Sequence, residues 1–329
     1  MLARGGKGLS GSREAWVRHW KQAGRTLRVL GQIVREIRGN LHHRAKLFRL
    51  AAREDLGAGD LTSQAMIPKK LEVRGAYLAK AEGVVAGLPL LCDVFDLFGR
   101  GVRVRLLVKD GGCVRPGTRL AEVRGPARTI LAGERLSLNL LCHLSGVATL
   151  TAKYVGQTRG TRARIYDTRK TTPGLRVLEK YAVRCGGGEN HRMGLWDGVL
   201  IKDNHLALAG ASIAEAVKRT KSRVRSLLRE DRREVEVEVT SLAGLREAVA
   251  AGADIVLLDN FTPARAADAV RFARELARKR CRQVEIEISG GVSLKNVRAY
   301  ARANPDRISV GALTHSAPAL DISLELEPA

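Results

Sequence analysis

Residues 235–260 read VEVEVTSLAGLREAVAAGADIVLLDN, and this stretch decides the fold. Val235–Val239 alternates apolar and acidic residues, the period-two pattern of a strand. Leu242–Ala251 then spaces its apolar residues as a helix does, and Ile255–Leu258 is the short unbroken apolar run of a strand covered on both faces. Strand, helix and strand in so short a span make a βαβ unit, in which the strands are parallel and the crossover right-handed.

Working outward, the unit recurs. Strands are expected at Arg164–Tyr166, Gly198–Ile201, Val235–Val239, Ile255–Leu258, Val284–Ile288 and Arg307–Val310. Helices are expected at Leu175–Val183, Ile213–Leu228, Leu242–Ala251, Pro263–Lys279 and Leu294–Ala303. Such a series closes toward a barrel, and six strands, fewer than in the common eight-stranded form, predict an open or smaller one. Upstream the grammar is different. A helical stretch from Leu41 to Ile67 ends in EDLGAGDLTSQAMIP, with Gly57, Gly59 and Pro68 as breakers, and Leu71–Ala79 and Val102–Val108 alternate as strands. Pro89–Phe98 has helical spacing, and Asp110-Gly111-Gly112 and Pro116-Gly117 punctuate two further short strands. A long apolar helix runs from Thr129 to Tyr154, and Asp321–Leu326 alternates once more, as a strand returning to the small domain would. The fold class is therefore α/β. Residues 1–40 form a basic extension, 41–160 with a return of 318–329 form the small domain, and 161–317 form the barrel.

The formal net charge is +23, and the first fifty residues carry 12 Lys and Arg against only Glu14 and Glu36. Such a field attracts polyanions. With 4% aromatic residues the chain has no stacking platform for bases, so contact with nucleic acid is expected only through the extension, where Trp16–Ile37 is a candidate basic helix. The five cysteines are scattered with no CxxC pair, which speaks for a reducing cytoplasm rather than a disulfide or zinc framework. No apolar run approaches the roughly 18 residues of a membrane span, so a soluble protein is expected.

The polar residues of the barrel gather at its strand ends. The first strand leads to Asp167-Thr168-Arg169-Lys170, the second to Lys202-Asp203-Asn204-His205, and the fourth ends in Asp259-Asn260. Ser289-Gly290-Gly291 and Gly311-Ala312-Leu313-Thr314-His315 follow the last two. One polar strand end is usually a helix cap; six in series mark a barrel mouth where active sites sit. Arg169, Lys170, His191, Arg192 and Lys202 supply donors for carboxylate or phosphate oxygens, and two arginines with two-pronged grips suit a dicarboxylate. The two glycine turns resemble backbone phosphate cradles. Glu238 and Asp259 are the minority charges of this mouth, able to accept ribose hydroxyls, share a magnesium ion and favour positive charge on a sugar carbon. Glu236 lies on the same strand face as Glu238, so periodicity does not choose between them, and a plain buried ion pair with Lys202 is the competing reading.

DTRKTTPGLRVLEKYAVRCGGGENHR from Asp167, followed in order by DGVLIKDNH, VEVEV, LLDNF, ISGG and SVGALTHS, resembles quinolinate phosphoribosyltransferase. EDLGAGDLT and GERLSLNLLCHLSG are similar to that family's N-terminal domain, so the likeness runs from residue 50 to residue 326. The resemblance implies an N-terminal α/β sandwich and an open six-stranded α/β barrel. It also implies a pentosyltransferase that joins quinolinate to phosphoribosyl pyrophosphate with loss of carbon dioxide, and a homodimer with shared active sites, with a hexamer as a higher assembly. By its motifs Arg169, Lys170, His191 and Arg192 hold quinolinate, with Arg135 supplied by the partner subunit. Lys202 touches both substrates, Glu238 and Asp259 bind the ribose of phosphoribosyl pyrophosphate, and magnesium rides on the pyrophosphate, reached indirectly if at all by these two acids. Ser289, Gly290, Gly311 and His315 surround a phosphate, and Lys170, Lys202, Glu238 and Asp259 are the implied catalytic residues. The family pattern selects Glu238 over Glu236.

Overall fold

A computed structural model describes residues 41–227 and 234–329; the helix expected at Trp16–Ile37 and the rest of the basic extension lie outside the described residues. The helical stretch breaks at Gly57 and Gly59 into two helices, α1 (Leu41–Leu56) and α2 (Leu61–Met66). The break falls where Asp60 caps α2, its carboxylate accepting the Ser63 backbone N–H at 3.0 Å.

The small sheet contains β1 (Glu72–Ala79), β3 (Arg103–Leu106), β5 (Arg119–Pro126) and β12 (Ile322–Pro328) in the antiparallel order β12-β1-β5-β3. The short β2 (Gly83–Val84) and β4 (Cys113–Val114) pair beside it. Helices α3 (Leu90–Phe98) and α4 (Ala127–Gln157) supply the apolar cover. Tyr77, Leu91, Phe95, Leu120, Ile130 and Leu141 are among the fully buried side chains of this core, each contributing about 1.5–3 kcal/mol. The one polar atom Tyr77 brings inside is satisfied by the Ser137 hydroxyl at 2.6 Å.

The second sheet has six parallel strands: β6 (Arg164–Tyr166), β7 (Val199–Ile201), β8 (Val235–Val239), β9 (Ile255–Asp259), β10 (Glu285–Ser289) and β11 (Arg307–Ser309). Their order, β6-β11-β10-β9-β8-β7, pairs every sequence neighbour except β6 with β7, so the ring is open between those two. The chain that leads into β7 partly fills the gap. Glu189 forms a parallel bridge to Tyr166, its N–H donating to Ile165 O at 2.7 Å and its carbonyl accepting from Asp167 N–H at 3.1 Å. Helices α5 (Arg176–Cys185), α7 (Ile213–Leu227), α8 (Leu242–Ala251), α9 (Pro263–Lys279) and α10 (Val297–Arg302) lie between the strands in sequence. Two short helices not expected from the sequence sit at strand ends, α6 (Asp203–Ala209) after β7 and α11 (Ala312–His315) after β11. Among the described residues no helix is long and apolar enough to cross a membrane.

Candidate active site

The C-terminal ends of the parallel strands open into one cleft of about 800 Å³, a volume suited to a small molecule. The turn after β6 contributes Arg169 and Lys170, the segment before β7 His191 and Arg192, and β7 itself ends at Lys202. Glu238, Asp259, Ser289 and Gly290 come from β8, β9 and β10, and Gly311 and His315 follow β11. Every residue to which the family resemblance gave a role borders this cleft except Arg135, which is exposed on α4 and does not line it.

The cationic wall is held by buried charge. Asp167 is fully buried and accepts from Lys180 Nζ, from Asn190 Nδ2 at 2.6 Å and from the His191 N–H at 2.8 Å. Lys180, equally buried, also donates to the His191 carbonyl at 2.9 Å. Burial pushes the Asp167 pKa up and the Lys180 pKa down, each opposed by the other's charge. This pair fixes the loop carrying Arg192, whose Nη1 donates to Gly198 O at 3.0 Å. Among the described residues Arg169 Nε is buried without a partner. Burial lowers the Arg192 pKa and the nearby Arg169 charge lowers it further, so two guanidinium groups repel each other at the cleft wall. That is the arrangement of a site awaiting an anion.

The acidic side separates the two glutamates that periodicity could not. Glu238, near the strand end, faces the cleft and forms an ion pair with Lys202. The expected pair with Lys202 thus exists, at a half-exposed lysine within the cleft rather than as a buried structural bridge. Lys202 is held from behind: its N–H donates to His205 Nδ1 at 2.9 Å as α6 begins. Asp259 accepts from Asn260 Nδ2 at 2.8 Å. Glu236 lies one layer deeper, with Oε2 3.1 Å from His191 Nε2, and Glu287 Oε1 is 3.5 Å from the same nitrogen. Burial depresses the His191 pKa, but hydrogen bonds and charge from these two acids outweigh it and raise it to about 10. Burial and the charge of Glu287 raise Glu236. The Arg192 backbone nitrogen lies 2.8 Å from His191 Nδ1, so both ring nitrogens face partners inside the protein. A direct grip by His191 on a carboxylate, as expected from the sequence, would have to break one of these bonds.

The glycine turns fit close approach. Gly290 has φ of +89°, and a Cβ there would overlap the Asn260 side chain. A Cβ on Gly311 would lie 3.1 Å from both Lys170 Cδ and His315 Nε2. Thr314 Oγ1 donates to the Lys170 carbonyl at 2.7 Å, linking the last turn of the barrel to the first.

Residues that sequence reasoning passed over include Glu287, whose Oε1 accepts from Ser309 Oγ at 2.5 Å, and the buried Asp167–Lys180 pair. Glu287 had a signal, an acid sharing the strand face of Ser289 two residues on. Among the described residues, His191, Glu236 and Glu287 alone bring three ligand atoms within 4.8 Å of one another. Glu236 and Glu287 hold a proton on His191 Nε2, so this nitrogen offers no lone pair to a cation.

Comparison with known proteins agrees with this geometry. The profile described as "Quinolinate phosphoribosyl transferase, C-terminal domain" matches residues 147–325, and that described as "Quinolinate phosphoribosyl transferase, N-terminal domain" matches residues 60–145. A Bacillus subtilis protein named "Probable nicotinate-nucleotide pyrophosphorylase [carboxylating]" is 43% identical over 281 residues, covering 85% of this chain and 92% of that one. The Mycobacterium leprae "Nicotinate-nucleotide pyrophosphorylase [carboxylating]" is 45% identical over 282 residues, covering 85% and 95%. Among solved structures, the nicotinate-nucleotide pyrophosphorylase of Francisella tularensis superposes with a TM-score of 0.79 at 37% identity, over 87% of this chain and 96% of that one. Two matched domains in the right order, relatives aligned nearly end to end and a shared architecture make this chain a member of the quinolinate phosphoribosyl transferase family.

Proposed function

We propose that the protein transfers the phosphoribosyl group of phosphoribosyl pyrophosphate to quinolinate with decarboxylation, giving nicotinate mononucleotide, carbon dioxide and pyrophosphate. The observation that carries this reading is the meeting in one cleft of two close arginines, one with an unpartnered buried Nε, and the Lys202–Glu238 pair. The family relatives are named for the same carboxylating pyrophosphorylase activity.

Arg169, Lys170 and Arg192 take the two carboxylates, and charge-assisted bidentate bonds fix the plane of the pyridine ring. His191 walls this subsite and orients the Arg192 backbone. The ring nitrogen attacks the anomeric carbon as pyrophosphate leaves, its growing charge met by Lys202. Glu238 and Asp259 hold the ribose hydroxyls and stabilise the positive character at that carbon. The nitrogen is then cationic, so the C–CO₂ bond beside it breaks with its electron pair kept on the ring carbon, which takes a proton from solvent. The half-exposed Lys202 can exchange Glu238 for a phosphate oxygen without opening the core. Glu238 and Asp259 are the cleft acids that would hold a magnesium ion, which when bound would neutralise the leaving pyrophosphate; among the described residues neither belongs to a three-ligand cluster, which favours indirect contact.

Arg135 supports a dimer with shared sites, because it is exposed and lies outside the cleft of its own chain. The scattered cysteines, with no CxxC pair among them, support a reducing cytoplasm. The test is incubation with quinolinate, phosphoribosyl pyrophosphate and magnesium, followed by detection of nicotinate mononucleotide; absence of that product from folded protein would overturn the reading.

A further inference from the structure

Helix α5 carries two cations one turn apart, Arg176 and Lys180, and each reaches both anion-binding loops. Arg176 Nε donates to Thr171 Oγ1 at 3.0 Å and its Nη1 to Met193 O at 3.2 Å. Lys180 donates to Asp167 and, at 2.9 Å, to His191 O. The four anchor points are not scattered. Asp167 and Thr171 lie two residues on either side of Arg169, and His191 and Met193 one residue on either side of Arg192. Thr171 is also tied to Arg169 directly, its N–H donating to Arg169 O at 2.9 Å. Residues i and i+4 on a helix share a face, so the two clamps act from one rigid ruler.

We propose that Arg176 is a positioning residue for substrate choice: as the outer clamp of α5 it fixes the spacing of Arg169 and Arg192, and so makes two adjacent carboxylates the preferred ligand. This rests on the assignment of those arginines to a dicarboxylate under the proposed function. Lys180 is the inner clamp, but its burial makes it part of the core, whereas Arg176 is only half-buried and its described hydrogen bonds go to neutral oxygens. Arg176 can therefore be changed without leaving a buried charge unpaired. Two guanidiniums at a set distance can each grip one carboxylate of a 1,2-dicarboxylate. When the spacing relaxes, only one grip at a time is well aligned, and the advantage over a monocarboxylate shrinks.

The experiment compares the full chain with Arg176→Gln and Arg176→Lys. Calorimetry gives the affinities of benzene-1,2-dicarboxylate, benzoate and phosphoribosyl pyrophosphate, and thermal unfolding is followed beside them. Arg176→Gln is expected to weaken the dicarboxylate by about ten-fold or more while benzoate and phosphoribosyl pyrophosphate stay within about two-fold. The transition temperature should be little changed. Arg176→Lys should show nearly the same loss, because an ammonium is a single point that cannot span both acceptors. An unchanged dicarboxylate-to-benzoate ratio in Arg176→Gln overturns the proposal. So does a parallel loss of all three ligands with a lower transition temperature, which marks general damage, or full recovery in Arg176→Lys, which marks charge rather than bridging. Formation of nicotinate mononucleotide by the unaltered chain, measured separately, tells failure of the functional reading from failure of this one.

Discussion

Replacing Lys180 by methionine leaves an unbranched side chain one atom shorter and removes its charge and donors. Lys180 and Asp167 expose 1% and 0% of their side chains, so Asp167 would be left as a buried carboxylate without a counter-charge. Two of its hydrogen bonds would survive, from Asn190 Nδ2 and the His191 N–H, and the His191 carbonyl would lose a donor. Removing one member of a buried pair costs about 3–5 kcal/mol. At roughly 2 °C per kcal/mol for a chain of this size, the transition temperature should drop by about 6–10 °C. The loss should also depend on pH, with a definite sign. Burial already raises Asp167 above the ordinary carboxylate value, and removing the lysine that opposes this raises it further. A carboxyl whose folded pKa exceeds its unfolded one takes up a proton on folding, so its contribution is retained at low pH and lost as pH rises. Lys180→Met should therefore be least damaging near pH 5 and most damaging near pH 8, and adding Asp167→Asn should recover much of the loss and flatten the pH profile. Urea unfolding of the three proteins across that range is the assay. A single-variant loss below about 1 kcal/mol, or a double variant as unstable as the single one at every pH, would show that the pair is not the buried electrostatic unit described.

Glu238→Ala and Asp259→Ala should lower kcat and weaken phosphoribosyl pyrophosphate while quinolinate alone binds nearly as before; calorimetric loss of quinolinate binding in Asp259→Ala would contradict the roles given. Glu236→Ala, by contrast, should act on stability, costing about 1–3 kcal/mol by leaving the His191 Nε2–H without its acceptor, as thermal unfolding can measure. Gly290→Ala places a side chain where φ is +89° and Asn260 already stands, so the KM for phosphoribosyl pyrophosphate should rise by about ten-fold or more, and an unchanged value would remove this turn from the site. Arg135→Ala and Lys202→Ala chains, each nearly inactive alone, should recover about a quarter of normal activity when mixed and allowed to exchange subunits, because half the dimers then hold one intact site. No recovery, with exchange verified by mass spectrometry, would exclude shared sites.

The alternating and apolar runs at Val235–Val239 and Ile255–Leu258 were legible because a strand between a helical layer and a barrel interior leaves few choices of residue. Helix α6 was not. None of its side chains is buried, so Asp203–Ala209 has no periodic stripe, and its start is set by the Lys202–His205 capping contacts. Leu294–Ala303 was expected as one helix, yet α10 starts at Val297, because the Asn296 side chain closes a local turn by accepting the Ser293 N–H at 2.7 Å. Glu236 and Glu238 share a face, and period two says nothing about height along the strand, which is what separates a cleft-lining acid from the buried partner of His191. Glu179 and Lys180 are charged residues on α5, and such residues are usually exposed. In the fold they are covered by the anion-binding loops, and Glu179 accepts from the Thr172 N–H at 3.1 Å and contacts His143 Nε2 at 2.9 Å. A charged residue buried by a distant loop leaves no mark in local periodicity.

The gap between β6 and β7 has a thermodynamic side. Where other neighbours in the ring are joined by backbone ladders, none joins this pair among the described residues: β6 is bridged to Glu189 in the segment before β7, and Arg176 and Lys180 of α5 tie the two anion-binding loops. A ligand that engages Arg169 and Arg192 together therefore acts as a rung across the weakest seam of the barrel. Occupancy and mechanical integrity become one quantity: at a hundred times its dissociation constant such a ligand adds about 2.7 kcal/mol to the folded state, delivered where the wall is least complete.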